Sequence, residues 1–414
     1  MNKKSSFKAG EKDNITILGR DHVNEFFNYP KNILSRQNAK MDMDCSSIIV
    51  GEMAIKSRYD KYIGFLIFSQ EMDFFISKEH KQYLRCVHPA LKMYSMDIEY
   101  GQLQTTELKK FLHAVMFENA VYRVFGKGLS KSPKFLSYLK SLMLIPTNGS
   151  KQNIKQIQKL KNEVYEDMVN IVYNEFYRRA KYRPPKRRAD MIQLILNNFK
   201  SFDIKNKKLI FGVLLMIFIR MVKTNTKYLE YVIIDIAMRR HVYVELAKEQ
   251  KKLVLEHGNN IDLSVIKKMD ILDSVIKESI RLASPSCFSV KRVEKRIFLS
   301  NGTEVGPNGY IGFDLNSYNK KPNIFGNNPY DFDHTRHLKS GWKLSRIAPD
   351  NLMWGLGMSM CPIHEYATAS YKMFLATLIR GYRISSTEKK HPGYNLLERT
   401  CEFSVDFLPH NIAF

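Results

Sequence analysis

The stretch WGLGMSMCPIHEYA, residues 354–367, places one cysteine, Cys361, after two glycines, Gly355 and Gly357, and just ahead of a helical pattern. A free cysteine is usually a small apolar residue buried for packing alone. The remaining cysteines (Cys45, Cys86, Cys287 and Cys401) bring the total to an odd number with no CxxC spacing, so neither a disulfide framework nor a zinc site is suggested. What Cys361 does is therefore decided by its surroundings in the chain. After it runs HEYATASYKMFLATLIRGY (364–382), with helical periodicity. Before it stand NPYDFDHTRHL (328–338), which carries Arg336, and KRIFLSNGTEVGPNGYIGFDL (295–315), where β-favouring residues flank SNG and GPNG turns and predict a hairpin.

Further upstream, VIKKMDILDSVIKESIRLAS (265–284) reads as a helix with an apolar stripe of Met269, Leu272, Val275, Ile276 and Ile280. Glu278 and Arg281, three residues apart, fall on roughly the opposite side, where such a pair is ordinarily a surface ion pair. Two longer helical patterns cover 155–180 and 208–240. No internal repeat, low-complexity tract or linker appears, so residues 1–414 read as a single domain, mainly α with a small β-sheet, with residues 1–20 flexible.

The chain has 65 Lys and Arg against 41 Asp and Glu, a formal charge of +24, which favours anionic partners. Its densest basic run, RRAKYRPPKRR (178–188), contains two prolines and reads as a solvated loop or helix end, with no nucleic-acid-binding signature beside it. The amino terminus, MNKKSSFKAGEKDN, has no apolar h-region, so neither a signal peptide nor a membrane anchor is expected there. The longest apolar run, LIFGVLLMIFI (209–219), is too short to span a bilayer and ends at Arg220, which predicts a buried core helix. The histidines show no HExxH spacing, so His334, His337 and His364 read as surface or loop residues rather than metal ligands.

The order of these features, an E-x-x-R helix, a hairpin, an F-D-x-x-R segment and a glycine-rich cysteine loop, resembles the cytochrome P450 family. The likeness is greatest to fungal members of secondary metabolism, of the ent-kaurene oxidase and indole-diterpene type. It implies the P450 fold, with haem b (iron protoporphyrin IX) between a long distal helix and a proximal cysteine loop. Cys361 matches the axial ligand of the haem iron, where thiolate donation favours O–O cleavage. Trp354, Gly355 and Gly357 match the cofactor-binding loop, and Arg292, in SVKRV, matches a residue that pairs with a haem propionate. Glu278, Arg281 and Arg336 match a buried structural ion network. Thr224 matches the oxygen-side threonine of the distal helix, a catalytic residue that helps relay protons.

At several positions the chain departs from the family pattern. Ile363 replaces a glycine after the cysteine, and Ser359 a propionate-binding Arg or His. On the distal helix, Arg220 and Met221 replace small residues, Lys223 an acid or histidine, and Asn225 a second threonine. No W-x-x-x-R segment is present, although residues 100–129 occupy about the right place. Arg220 discriminates between outcomes: over the porphyrin it would crowd out oxygen, whereas turned to a carboxylate it would leave the distal pocket open.

The resemblance thus implies a haem-thiolate monooxygenase that inserts one oxygen atom from O2 into a small apolar, terpenoid-type secondary metabolite. Electrons would come from NADPH through a P450 reductase on the cytoplasmic face of the endoplasmic reticulum, with peripheral contact to anionic membrane and no nucleic-acid partner. The alternative is a catalytically impaired or inactive relative that keeps the fold with weak or no haem binding.

Overall fold

Short strands punctuate a mostly helical chain in the computed structural model, which describes residues 6–9, 12–18, 22–43, 46–98, 101–145, 151–182, 188–284, 288–300, 302–357, 360–394 and 403–410. In order, the elements are β1 Ser6–Ala9, β2 Lys12–Leu18, α1 Val23–Asn28, β3 Leu34–Ser35, α2 Arg36–Met43, α3 Ser46–Val50, α4 Glu52–Ser57, α5 Tyr59–Leu66, α6 Met72–Met93, β4 Met96–Asp97, β5 Leu103–Thr105, α7 Leu108–Leu129, α8 Pro133–Leu144, α9 Lys151–Lys181 and α10 Met191–Asn197. There follow α11 Lys207–Met238, α12 Arg240–His257, α13 Leu263–Lys267, α14 Asp270–Ala283, β6 Phe288–Val293, β7 Ile297–Phe298, β8 Glu304–Val305, β9 Tyr310–Asp314, α15 Leu315–Tyr318, α16 Pro322–Phe325, α17 Arg336–Ser340, α18 His364–Gly381, β10 Tyr382–Ser385 and β11 Val405–Pro409. A π-helical turn, Ile67–Glu71, joins α5 to α6.

The expected mainly-α class with small sheets is what the chain adopts. One sheet has the order β1-β2-β9-β6-β3, another β10-β11-β5-β4, and β7 pairs only with β8. The first differs from the expectation of a flexible start. Lys12–Leu18 pairs in parallel with Tyr310–Asp314, Ile15 opposite Tyr310, and buries Ile15 and Leu18. Its alternation is too short to stand out locally; a partner about 295 residues away, Tyr310 for Ile15, fixes it as a strand.

Helix α11 begins where Asn206 caps the Leu209 N–H at 3.1 Å, and it lies along α7 while touching α9 and α14. It is long and apolar enough to cross a membrane by composition, yet 78% of its most apolar window is buried within the fold, so it forms the core helix predicted for 209–219. The single helix predicted over 265–284 is two. Asp262 caps α13 through the Val265 N–H, the chain breaks at Met269, and α14 restarts under a remote carboxylate, Glu249 of α12, which accepts from Ile271 N (2.6 Å) and Leu272 N (3.2 Å). Within the 178–188 run, Arg179 is not solvated. It is 2% exposed and holds Glu175 and Asp190 at 2.7 and 2.6 Å; residues 183–187 lie outside the described residues.

Candidate functional site

The cysteine loop is fixed from both ends. Gly355 (φ +73°) and Gly357 (φ +55°) sit in the left-handed region that a side chain disfavours, and they turn the chain so that the Cys361 N–H donates to the Trp354 carbonyl at 2.7 Å. The Trp354 indole N–H donates to Leu344 O at 2.7 Å, and its ring stacks on Tyr371 of α18 with centroids 6.3 Å apart. Pro362 rests on α5: a Cβ added at Gly64 would come within 2.6 Å of its carbonyl oxygen. Ile363 has φ −114° and ψ 23°, a conformation that makes no demand for glycine, and its side chain packs on the main core. Ser359 lies outside the described residues, as do Cys45, Cys287 and Cys401.

Burial pushes the Cys361 thiol pKa up, while a hydrogen bond from the Ile363 N–H and the charges of Arg220 and Arg36 pull it down. Arg36, the first residue of α2, lies close enough to Arg220, Tyr228 and Cys361 to interact electrostatically with each; desolvation by the surrounding protein, then the charge of Arg220, lower its pKa. Lys61 of α5 also feels Arg36 and Cys361, and burial lowers it. Arg220 of α11 turns to Asp60 of α5, Nη1 to Oδ2 at 2.8 Å. Of the two orientations framed from the sequence, this is the one toward a carboxylate. Along α11 the residues that are not buried include Arg220, Lys223, Thr224 and Lys227, a single helical stripe with Thr224 its most exposed member. Lys223 reaches the Ile145 carbonyl at 3.2 Å. Asn225 turns the other way and accepts from the Tyr371 hydroxyl at 2.9 Å.

Arg292 is engaged elsewhere. It donates to Glu294 (2.9 and 3.1 Å) and Asp42 (3.1 Å). The strand alternation explains this, because Lys291 and Val293 take the buried face of β6 and Arg292 the other. Lys291 Nζ donates to Phe26 O at 2.5 Å; its pKa falls to about 8, first through burial and then through Arg36 and Lys31. Arg36 directly follows Ser35, which pairs with Arg292, and its charge acts on Lys291. Helix α5 lies against the cysteine loop, whereas residues 100–129 supply β5 and α7, the latter packed along α11. Sequence reasoning missed Lys31, Arg36, Asp60, Lys61 and Lys291. The period-2 alternation in β6 was the one local signal, and it pointed to Lys291.

Glu278, Arg281 and Arg336 do come together, on the buried side of α14. Glu278, with no exposure, receives Arg281 at 2.8 Å through both oxygens, Arg336 Nε at 3.1 Å, His337 Nε2 at 3.0 Å and the Asp333 N–H at 3.0 Å. Burial alone would raise its carboxyl; the Arg281 and His337 contacts outweigh it and hold it far below the carboxylate range. Arg281 also donates to the carbonyls of Asn319 (2.7 Å) and Pro329 (2.6 Å). Of the histidines, His337 differs from expectation, 2% exposed inside this network; His334 lies in the loop before α17 and bonds Glu245 at 2.8 Å, and His364, partly exposed, reaches the Cys361 carbonyl at 3.0 Å.

The family model described as Cytochrome P450 matches residues 67–400, most of the chain. The chain belongs to the cytochrome P450 family. A cytochrome P450 monooxygenase of Aspergillus clavatus (ccsD) is 23% identical over 68% of this chain and 58% of its own length. A cytochrome P450 monooxygenase of Penicillium brasilianum (ausG) is 30% identical over 39% of this chain and 32% of its own, and the fusicoccin H C-9 hydroxylase of Phomopsis amygdali is 25% identical over 45% and 36%. The chain thus spans less than two thirds of the length of these curated relatives. Among solved structures, the cyanobacterial P450 CYP120A1 bound to retinoic acid superposes with a TM-score of 0.71 over 96% of this chain and 89% of its own, at 14% identity, a likeness of fold.

A P450 carries haem and draws electrons from a redox partner. The donor set here suits that group: one thiol on a loop that two positive-φ glycines leave bare, and cations on α2 and α5, for the porphyrin carboxylates, that interact electrostatically with that thiol and with each other.

Proposed function

We propose that the chain is a haem-thiolate monooxygenase acting on a small apolar, terpenoid-type metabolite. The observation that carries this reading is Cys361, held by the Trp354 carbonyl and hydrogen-bonded by Ile363, with the charges of Arg36 and Arg220 close enough to act on its thiol. Bound there, the haem would supply oxygen activation and insertion. Cys361 would ligate the iron, and metal binding would remove its proton against the pull of burial. Arg36, Lys61 and Lys291 would hold the propionates, in place of Arg292. Trp354 would set the loop behind the sulfur, and Thr224 would hold a proton at Oγ1 on the distal side.

Electrons would come from NADPH through a P450 reductase at the cytoplasmic face of the endoplasmic reticulum, where the basic surface suits an acidic reductase and anionic lipid. The terpenoid assignment draws on the resemblance to fungal secondary-metabolism P450s.

The test is the absorbance difference spectrum of the dithionite-reduced protein with and without carbon monoxide, beside Cys361→Ala. A strongly red-shifted Soret band, lost in the variant, is expected. Absence of haem, or a band like that of histidine-ligated haem, would replace this reading with an inactive relative that has kept the fold.

A further inference from the structure

Between Leu209 and Ala237, the positions of α11 that are not buried are Arg220, Lys223, Thr224 and Lys227. At 3.6 residues per turn they fall within one arc of about 100°. Met216 and Tyr231, a turn before and a turn after, are buried. The opening therefore lies in the middle of a core helix and runs for about 10 Å along it. Contacts fix what surrounds it. Arg220 bonds Asp60 of α5 at 2.8 Å, and its charge acts on the Cys361 thiol and on Arg36 of α2. Lys223 Nζ donates to the carbonyl of Ile145, just beyond α8, at 3.2 Å; burial and then the charge of Lys223 lower the pKa of His113 on α7. The recess thus has α5 and the thiol near Arg220, and α7 and the end of α8 near Lys223.

The arc carries three cations, one hydroxyl and no acid. Arg220 is matched by the Asp60 carboxylate, whereas the carbonyl that Lys223 reaches is neutral. Lys227 follows Lys223 by four positions, which sets their Cβ atoms about 5–6 Å apart on the helix, a spacing at which like charges repel. A wholly apolar ligand laid over these two ammonium groups would strip water from them and return no hydrogen bond. A carboxylate between them returns charge-assisted hydrogen bonds and relieves the repulsion. The cations assigned above to the haem carboxylates, Arg36, Lys61 and Lys291, stand on other elements, so the two roles do not compete for the same side chains.

We propose that Lys223 and Lys227 hold a carboxylate of the substrate, so that the chain acts on an apolar acid whose body lies along the recess past Thr224 toward the thiol. This rests on the monooxygenase reading and narrows its substrate from an apolar terpenoid-type metabolite in general to one that carries a carboxylic acid. A diphosphate fits less well. It is usually escorted by Mg2+ bound through protein carboxylates, and no group of three His, Cys, Asp or Glu able to hold a metal occurs among the described residues. Specificity then comes from the loss that a neutral analogue suffers by leaving two ammonium groups desolvated.

Equilibrium dialysis of the haem-loaded protein against two pairs of probes tests the anchor without calling on turnover. The pairs are abietic acid with abietinol, rigid, and dodecanoic acid with 1-dodecanol, flexible; within each, only the acid group differs. In at least one pair the acid should bind at least tenfold more tightly than its alcohol. Lys223→Gln combined with Lys227→Gln should weaken that acid at least tenfold and the alcohol less than twofold, with the carbon monoxide spectrum of the native chain retained. Should the double variant lose its haem, the two single variants, read in the same way, decide. Equal affinity within both pairs, or no binding of either acid, overturns the proposal and leaves the monooxygenase standing wherever the native spectrum shows thiolate-ligated haem. An acid preference that survives both substitutions also overturns it, because the anchor then lies elsewhere on this basic chain. A native chain with no thiolate-haem spectrum removes the monooxygenase reading itself, and this inference with it.

Discussion

Glu278 gathers Arg281, Arg336 and His337 onto two oxygens, out of reach of solvent. Glu278→Gln would leave two guanidinium groups facing a neutral amide in the interior. Stranding a buried charge typically costs about 3–5 kcal/mol. Chemical denaturation should show a loss of that order, and haem content after purification should fall with it. Cys361 and the Glu278–Arg281 pair stood at short fixed spacings, G-x-G-x-x-x-C and E-x-x-R, but only the family resemblance joined the pair to Arg336, and His337, 59 positions from Glu278, read as a surface or loop residue. Arg36, Lys61 and Lys291 were not legible, because three separated segments bring Lys61 and Lys291 within electrostatic reach of Arg36 and no single window of sequence contains the arrangement.

At the scale of elements, α5 sits on the cysteine loop through a glycine. Gly64→Ala would drive a methyl into the Pro362 carbonyl, where the nearest atoms are backbone and cannot turn aside. Overpacking of this kind costs about 1–3 kcal/mol. The effect should fall on the loop as well, lowering haem retention in a dilution or haem-transfer assay more than Gly51→Ala, where no atom lies within 4 Å of the added carbon and only backbone strain is tested.

Helix α14 depends on Glu249 for its amino-terminal cap, and burial lifts that carboxyl to about 7 from its ordinary value of 4.5, against the opposing pull of the Ile271 and Leu272 amides. A folded-state pKa above the unfolded one means that the folded protein holds more protons between those values. Stability from this group is therefore complete below about 4.5 and declines as pH rises to about 7, by about 3 kcal/mol at most. Thermal melts of Glu249→Gln between pH 5 and 7.5 should show a flatter pH dependence than the native chain. The helices themselves were legible from periodicity, while the break at Met269 was not, since its cap comes from another helix.

Across the whole molecule the +24 charge sets association behaviour more than fold. Electrostatic encounter with an acidic reductase should weaken as the screening length shrinks, from about 10 Å at 0.1 M salt to about 3 Å at 1 M. The reduction rate in stopped flow is expected to drop several-fold over that range, with the carbon monoxide spectrum unchanged. The overall class was readable from the balance of helical and strand patterns. The sheets were less so, since β4, β5, β10 and β11 are short and both β2 and β5 find a partner across hundreds of residues.

Strand β11 lies between β10, which it follows closely, and β5, with Gln104 donating to Asp406 at 2.7 Å across 302 positions. Pairings of such separation carry a loop-closure cost that must be met before any contact rewards it, and they slow folding. Helices α6 and α7 can begin packing on each other as the chain emerges, but β5 waits for a neighbour about 300 positions further along. The nascent protein therefore carries an open sheet edge until that neighbour is made, and that edge, rather than the cysteine loop, is where an incompletely made chain would be captured by chaperones or by its own copies.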